Sequence, residues 1–545
     1  MNPRARRVLP TLALAGILAV YVALFLQTRR FDFVWADADA IRDSAVFRLP
    51  LGRALRTSEH ERMTPALLEL RGIALTHEAY RPLVILSHAV DLRIFGREPG
   101  PMHLTALLLG ALAILAAFAL ALRLFDAPVP ALVVAAIFAW HPLQVEAIAF
   151  LSARADPLAA IFALVAALFV VRARPIAGPL GAGVAFLLSL FTKEANALLP
   201  LALAAFALAT GQLRAWRRGL VALVAALPLY ALLRALLVPH APAATHADRL
   251  VHAAVTLPAV ALEYARSFVL PFDLSISRPL YLGAAVGWIA LAAVSAALAL
   301  ALRRAAPTTR PAVALAAAGL AWAGALLAPS AVAVYSEGAV ADRYVYLPLF
   351  GFAVAVVALG ARLAAVSARA RVAVAVAAAA WLALLVFVTS REIPAWADSA
   401  TLYAHAVDVQ PYSAAAHNRL GRYYAEQHLW PAAVAELEHA AALPDAGDHV
   451  LNNLGVAYLA VGRPSDAAAV LRRAVERSHQ TSYHAWYNLG TALRAQGELP
   501  AACAAYRRAL ALSPAYDHAR ADLARYCPTA SPTVAPPDAV APTAP

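Results

Sequence analysis

Eleven apolar runs, most of them near the length of a bilayer crossing, limit what this chain can fold into. The first covers about residues 8–26, and the rest lie near 102–122, 128–145, 157–171, 177–192, 195–210, 219–238, 280–302, 311–334, 343–361 and 372–389. A hydrocarbon core of about 30 Å takes roughly 20 helical residues and offers the backbone no water, so each run is predicted to be a membrane helix. The arginines test that count. Arg123, the pair Arg172 and Arg174, the cluster Arg214, Arg217 and Arg218, the group Arg303, Arg304 and Arg310, and the group Arg362, Arg369 and Arg371 occupy alternate loops, on the side of Arg4, Arg6 and Arg7. This positive-inside pattern puts the N-terminus in the cytoplasm and, after an odd number of spans, the C-terminus outside. At 545 residues and 62% hydrophobic content, the chain reads as a polytopic membrane protein. Its net charge of +12 is dispersed over these loops rather than gathered into a basic patch, which speaks against a nucleic-acid partner.

The run at 8–26 is long enough to span, and Gln27-Thr28-Arg29-Arg30 after it offers no small-residue cleavage site. Residues 1–27 are therefore predicted to hold an uncleaved first helix. Residues 28–100 form a long outer loop. It keeps Trp, Tyr, Phe and Ile, which predicts order, with an amphipathic helix in YRPLVILSHAVD (80–91) along the interface. The multi-helix membrane domain covers 101–390. Within it, 250–271 carries Glu263 and Arg266 and is read as re-entrant or interfacial, because a full crossing there would invert every later loop.

From Trp396 the pattern changes to a soluble, Ala-rich helical one. Asn418-Arg419-Leu420-Gly421, Asn452-Asn453-Leu454-Gly455 and Tyr487-Asn488-Leu489-Gly490 recur at spacings of 34 and 35, the tetratricopeptide period. Small residues follow at fixed offsets (Ala433 and Ala440, Ala467 and Ala474, Ala502 and Ala509), where paired helices must cross closely. Ser399 to Pro411 adds a half-repeat and Ala515–Tyr526 a cap, so 396–526 is predicted to be a stacked repeat domain. The expected fold class is all-α: a polytopic helical membrane domain followed by a C-terminal tetratricopeptide α-solenoid. Residues 527–545 are Pro/Ala/Thr-rich and predicted to be disordered. Cys503 and Cys527 are too few for a disulfide framework and lack metal-ligand spacing, but they could pair if both lie outside the cytoplasm.

The remaining polar residues are one-sided. On this topology the outer face gathers Asp37, Asp39 and Arg81, then His141, Glu146, Arg154 and Asp156 in the stretch AWHPLQVEAIAFLSARADP (139–157). Lys193-Glu194 and Asp342-Arg343-Tyr344 join them there, whereas the cytoplasmic loops hold little except arginine. Charges at the mouths of membrane helices are costly and tend to face a cavity or substrate path. A carboxylate at that depth can take a proton from an acceptor hydroxyl while nearby cations steady a phosphate leaving group. Lys193 is the single lysine among 45 basic residues, which suggests that a compact ammonium is required. Blander readings stand beside these: Asp37 and Asp39 as helix caps, His141-Pro142 as a helix end, Lys193-Glu194 as a structural ion pair. No carboxylate and histidine set of metal-ligand type emerges, so no cofactor is expected and a divalent metal stays open.

The elements YRPL (80–83), FAWHPLQVEAIAFLSARADPLAA (138–160), SLFTKEANALLPL (189–201) and DRYVYLPLFGF (342–352), followed by repeats, resemble the transmembrane and tetratricopeptide-repeat-containing (TMTC) family and its bacterial relatives. The likeness covers nearly the whole chain. It implies a membrane glycosyltransferase of the GT-C fold, because the animal members are O-mannosyltransferases that use dolichyl-phosphate mannose on folded extracellular domains. It also implies that the acids of the first outer loop, here Asp37 and Asp39, carry catalysis. Family members commonly show adjacent acids there, and Ala38 separates these two, which leaves open which one is the base. A bacterial relative would draw on an undecaprenyl-type carrier at the inner membrane. On this reading Lys193, Arg154 and Arg343 hold the carrier phosphate, His141, Glu146 and Asp156 shape the pocket, and periplasmic repeats recruit an acceptor protein or peptide. Two rival readings use the same residues: a membrane-anchored repeat scaffold without catalysis, and a ligase or polymerase of lipid-linked glycans.

Overall fold

Each apolar run is helical over most of its length in the computed structural model, which describes residues 3–57, 80–237, 247–276, 278, 280, 283–337 and 340–527. The first of two compact units ends at Gln410. It contains α1 (Pro3–Phe25), α2 (Pro82–Phe95), α3 (Pro99–Phe125), α4 (Pro128–Trp140), α5 (Val145–Ala149), α6 (Ala155–Arg172), α7 (Ala177–Leu190) and α8 (Leu199–Ala209). It continues with α9 (Leu213–Leu237), α10 (Ala247–Val269), α11 (Ala284–Arg304), α12 (Arg310–Glu337), α13 (Pro348–Ala364), α14 (Ala368–Glu392) and α15 (Ser399–Val409). Among the described residues, seven helices are individually long and apolar enough to cross a membrane. A bent pair, Pro128–Trp140 with Pro142–Ala149, would make an eighth, and Ala177–Leu190, Glu194–Ala209 and Pro348–Ala364 are shorter apolar helices. All the predicted runs are thus present, some of them short or broken.

The break has a local cause. Pro142 has no N–H to continue the ladder and its ring crowds the preceding turn, so the chain bends by 57° there. Elsewhere the helices approach through small residues, as expected where lipid gives no hydrophobic drive between helices. At the α12–α13 crossing, Gly319 and Gly351 face each other, and a Cβ on either would collide with the other's carbonyl oxygen. Large apolar side chains such as Leu180, Leu236 and Ile289 stay about two-thirds exposed, the surface a lipid solvent requires.

All but the last two residues of the stretch 250–271 lie within a single unbroken helix of 23 residues, α10, packed on α11 and α12. It contains no chain reversal, so the re-entrant alternative is corrected to a continuous helix. Its inward face holds Ala259, Val260, Glu263, Tyr264, Ser267 and Phe268. The loop at 28–100 is ordered where it is described: Phe33 and Ile41 pack on Met102, Ala106 and Leu151, and Val46 and Ala54 pack on Ile85. The predicted helix at 80–91 is α2, which buries Val84, Ile85, His88 and Asp91. Residues 58–79 of this loop lie outside the described residues.

The second unit starts at Pro411. It stacks α16 (Ala414–Glu426) with α17 (Trp430–Ala442), α18 (Asp448–Ala460) with α19 (Pro464–Arg477), and α20 (Tyr483–Ala495) with α21 (Leu499–Leu512), closed by α22 (Asp517–Tyr526). The repeat glycines explain themselves here: a Cβ on Gly421, Gly455 or Gly490 would strike Leu437, Leu471 or Tyr506 of the partner helix. Cys503 and Cys527 form a disulfide with a Cα–Cα distance of 5.8 Å, tying α21 to the end of the cap. By packing, the helix of the predicted half-repeat, α15, belongs to the first unit. The tail predicted to be disordered lies, from residue 528 on, outside the described residues.

Candidate active site

The acids of the first loop sit on an unusual stretch of backbone. Trp35 adopts the left-handed conformation, with φ of +54°, which a bulky residue keeps only when its surroundings impose it. Its ring stacks on Phe150 at 5.2 Å, and its N–H donates to Ser399 Oγ at 3.0 Å. Two residues on, Asp37 is fully buried and accepts from the Ser152 hydroxyl at 2.5 Å, from the N–H groups of Ser152 and Leu151 at 2.7 and 3.2 Å, and from Val34 N–H at 3.4 Å. Those four donors match the lone-pair capacity of a carboxylate. Burial pushes the Asp37 carboxyl up to about 7, against the pull of these hydrogen bonds. Asp37 therefore pins the 150–154 segment to the first loop. Asp39 lies in a five-residue π-helix, Ala38–Arg42, and is only partly buried. Such π-turns recur at functional sites because they redirect side chains within a helix.

An arc of ion pairs adjoins this loop. The Arg343 guanidinium pairs with Glu146, whose second oxygen accepts from the Arg343 backbone N–H at 3.0 Å. The same guanidinium lies 5.8 Å from the Trp35 ring centre and 4.7 Å from that of Tyr344. Lys193 pairs with Asp156 and sits 5.4 Å from the Tyr344 ring, so Tyr344 lies between the two cations. The neighbouring Glu194 pairs with Arg81 at 3.1 Å. Side-chain exposure decides which groups a ligand can reach: 13% for Lys193, 15% for Arg343 and 25% for Arg81.

Three predicted residues face elsewhere. The Arg154 side chain is fully buried, bound to Asp91 at 2.6 Å, Ser87 Oγ at 3.3 Å and the Met102 carbonyl at 3.1 Å. It cannot hold a carrier phosphate and instead ties α2 and α3 to α6. His141 is equally buried: Nε2 meets the Phe268 carbonyl at 2.9 Å, while Nδ1 accepts from Leu143 N–H at 3.2 Å. Those partners assign the proton to Nε2, and the ring stacks on Phe268 at 5.2 Å. His141 thus terminates the broken helix and docks it on α10 rather than lining a pocket. Asp342 is buried against Arg278, which also donates to Ser267 Oγ at 2.6 Å and lies 3.6 Å from Glu263.

Asp91, Ser152 and Arg278 were not singled out from sequence, and Glu263 entered only as a reason to doubt a full crossing at 250–271. Arg278 gave no sequence signal, since its predicted outer loop also carries Arg249 and Arg266 and the 28–100 loop holds eleven arginines of its own. Asp91 closes the quoted helix stretch 80–91, but nothing local pairs it with a residue 63 positions away. Among the described residues no group of three or more His, Cys, Asp or Glu side chains converges as a metal site would.

Parts of the chain are similar to known proteins. The family profile of the tetratricopeptide repeat matches residues 452–517. Over 149 residues the chain is 31% identical to the protein O-mannosyl-transferase Tmtc1 of Drosophila melanogaster, a match that spans 26% of this chain and 16% of that protein. Among solved structures, it is similar to ArnT from Cupriavidus metallidurans bound to undecaprenyl phosphate, at 17% identity and a TM-score of 0.37, covering 85% of this chain and 79% of that one. It is also similar to MamA, at 23% identity and a TM-score of 0.21, covering 22% of this chain and 68% of that one. The chain is a multi-pass helical membrane protein with a C-terminal tetratricopeptide solenoid, and it resembles the TMTC family.

Proposed function

We propose that the membrane unit is an inverting glycosyltransferase of the GT-C kind, moving a sugar, a hexose such as mannose, from a polyprenyl-phosphate carrier to a protein hydroxyl at the periplasmic face of a bacterial inner membrane. The observation that carries this reading is the arc of partly exposed cations beside a strained loop that holds a partly exposed acid, Asp39, next to the buried Asp37. The Asp39 carboxylate takes the proton of the acceptor hydroxyl as its oxygen attacks the anomeric carbon. The bond from that carbon to the phosphate oxygen breaks, and the carrier phosphate leaves with the electron pair. Lys193, Arg343 and Arg81 steady the charge that develops there. Asp37 is a positioning residue, since its lone pairs already serve Ser152, Leu151 and Val34.

The repeats recruit the acceptor in this account. Asn453 donates to Asn418 Oδ1 and Asn488 to Asn452 Oδ1, each at 2.9 Å, an amide ladder along the first helices of successive repeats. Each amide keeps further capacity for the backbone of an extended segment. The Cys503–Cys527 disulfide supports a periplasmic setting, because such bonds persist in oxidising compartments. The test is transfer in proteoliposomes from a polyprenyl-phosphate donor carrying a radiolabelled hexose to an envelope-protein fraction. Label should reach protein with the wild type and not with Asp39→Asn. Full transfer by Asp39→Asn, together with loss in a stably folded Asp37→Asn, would move the base to Asp37.

A further inference from the structure

At the other end of α6, away from the acids, the C-terminal turn of α6, the start of α7 and the start of α9 enclose a cleft of about 250 Å³. Arg174, Arg214, Arg217 and Arg218 line it, and no carboxylate does. Among the described residues none of these four guanidinium groups has an ion-pair partner. Arg214, Arg217 and Arg218 stand at positions i, i+3 and i+4 of α9, so they share one helix face and repel one another. They occupy the first two turns of α9, Arg214 in the first, where the helix dipole is already positive. A chain that only had to satisfy the positive-inside rule could spread this charge along its loops. Here it is focused on a concave space, which an anion would relieve.

The space is smaller than the roughly 300–1,000 Å³ of typical small-molecule pockets, so it suits a headgroup rather than a whole lipid. Directly along the same helices, Leu180 and Val184 of α7 and Val221 and Val224 of α9 are exposed apolar side chains that acyl chains would cover. We propose that this cleft is a binding site for the phosphodiester headgroup of an anionic phospholipid in the cytoplasmic leaflet. The site is separate from the acidic end and does not depend on the glycosyltransferase reading. A phosphate oxygen would accept from several guanidinium donors at once, in geometry that arginine supplies and lysine reproduces only as a point charge.

The test is native mass spectrometry of the full chain in detergent, titrated with short-chain phosphatidylglycerol, phosphatidylcholine, undecaprenyl phosphate and inorganic phosphate. Phosphatidylglycerol should be retained over phosphatidylcholine. Each arginine near an anionic surface is worth about a fivefold change in affinity, so Arg174→Gln/Arg217→Gln should weaken that binding by roughly 25-fold. Arg174→Lys/Arg217→Lys, which keeps the charge and guards against a folding defect, should lose only a few-fold. Equal retention of both phospholipids, or an unchanged Gln variant, would overturn the proposal and leave the arginines as topology determinants. Selective retention of undecaprenyl phosphate would overturn the phospholipid assignment in favour of a carrier lipid. Inorganic phosphate binding as tightly as phosphatidylglycerol would show that no lipid is recognised.

Discussion

The two ends of the membrane unit treat charge in opposite ways. A single helix, α6, displays both: Asp156 lies in its first turn and Arg172 in its last, about 24 Å apart along the helix axis. At the Asp156 end the cations met so far are matched, Lys193 with Asp156, Arg343 with Glu146, Arg154 with Asp91 and Arg81 with Glu194. At the Arg172 end, Arg172, Arg174, Arg214, Arg217 and Arg218 are exposed and have no carboxylate partner among the described residues. Charge that sits in water costs little and can serve topology. Charge drawn below the surface must be paired, and a chain keeps such pairs where they hold a shape or meet a substrate.

Substitutions should break or sharpen this contrast, beginning with the largest effect. Asp39→Asn removes the proposed base and should lower turnover by about 10²–10⁴-fold with little change in melting temperature, read in the proteoliposome assay. Glu146→Gln strips Arg343 of its carboxylate inside the protein and should cost roughly 3–5 kcal/mol of stability, read as a lowered thermal transition in detergent.

Asp37 should give the acidic end a pH signature. Its carboxyl is raised from 3.8 to about 7 in the folded chain, so between those values the unfolded chain has lost a proton that the folded one keeps. Its contribution is therefore full below about pH 4 and declines as pH rises toward 7. The melting temperature of the wild type relative to Asp37→Asn should fall over that window and level off above it. At the opposite end, Arg172→Gln should change stability by less than about 0.5 kcal/mol, since the residue is exposed and unpaired.

The fold was legible to a greater depth than the site. Apolar run length and the 34- and 35-residue period depend on local pattern, and both survive in α1 to α14 and in the stacked pairs from Ala414 to Leu512. Side-chain roles depend on partners that sequence distance hides. His141, Arg154 and Asp156 lie within one quoted stretch, yet one docks a helix, one locks a buried core and one meets Lys193 at the accessible arc. The Cys503–Cys527 pairing was open in the sequence but not decided by it, because its closure needed α22 to fold back on α21 across 24 residues. The strain at Trp35 has no sequence signature either, since nothing about a tryptophan predicts a positive φ.

The central claim is that the paired end performs transfer to protein. Mass spectrometry of envelope proteins tests it most directly, comparing cells that lack the chain with cells restored by the wild type or by Asp39→Asn. The account predicts a hexose-sized mass increment on one or more proteins with the wild type alone. Unmodified proteins in all three strains would contradict it. An envelope restored equally by both versions would then favour a scaffold, and a shift confined to lipid-linked glycans would favour a ligase.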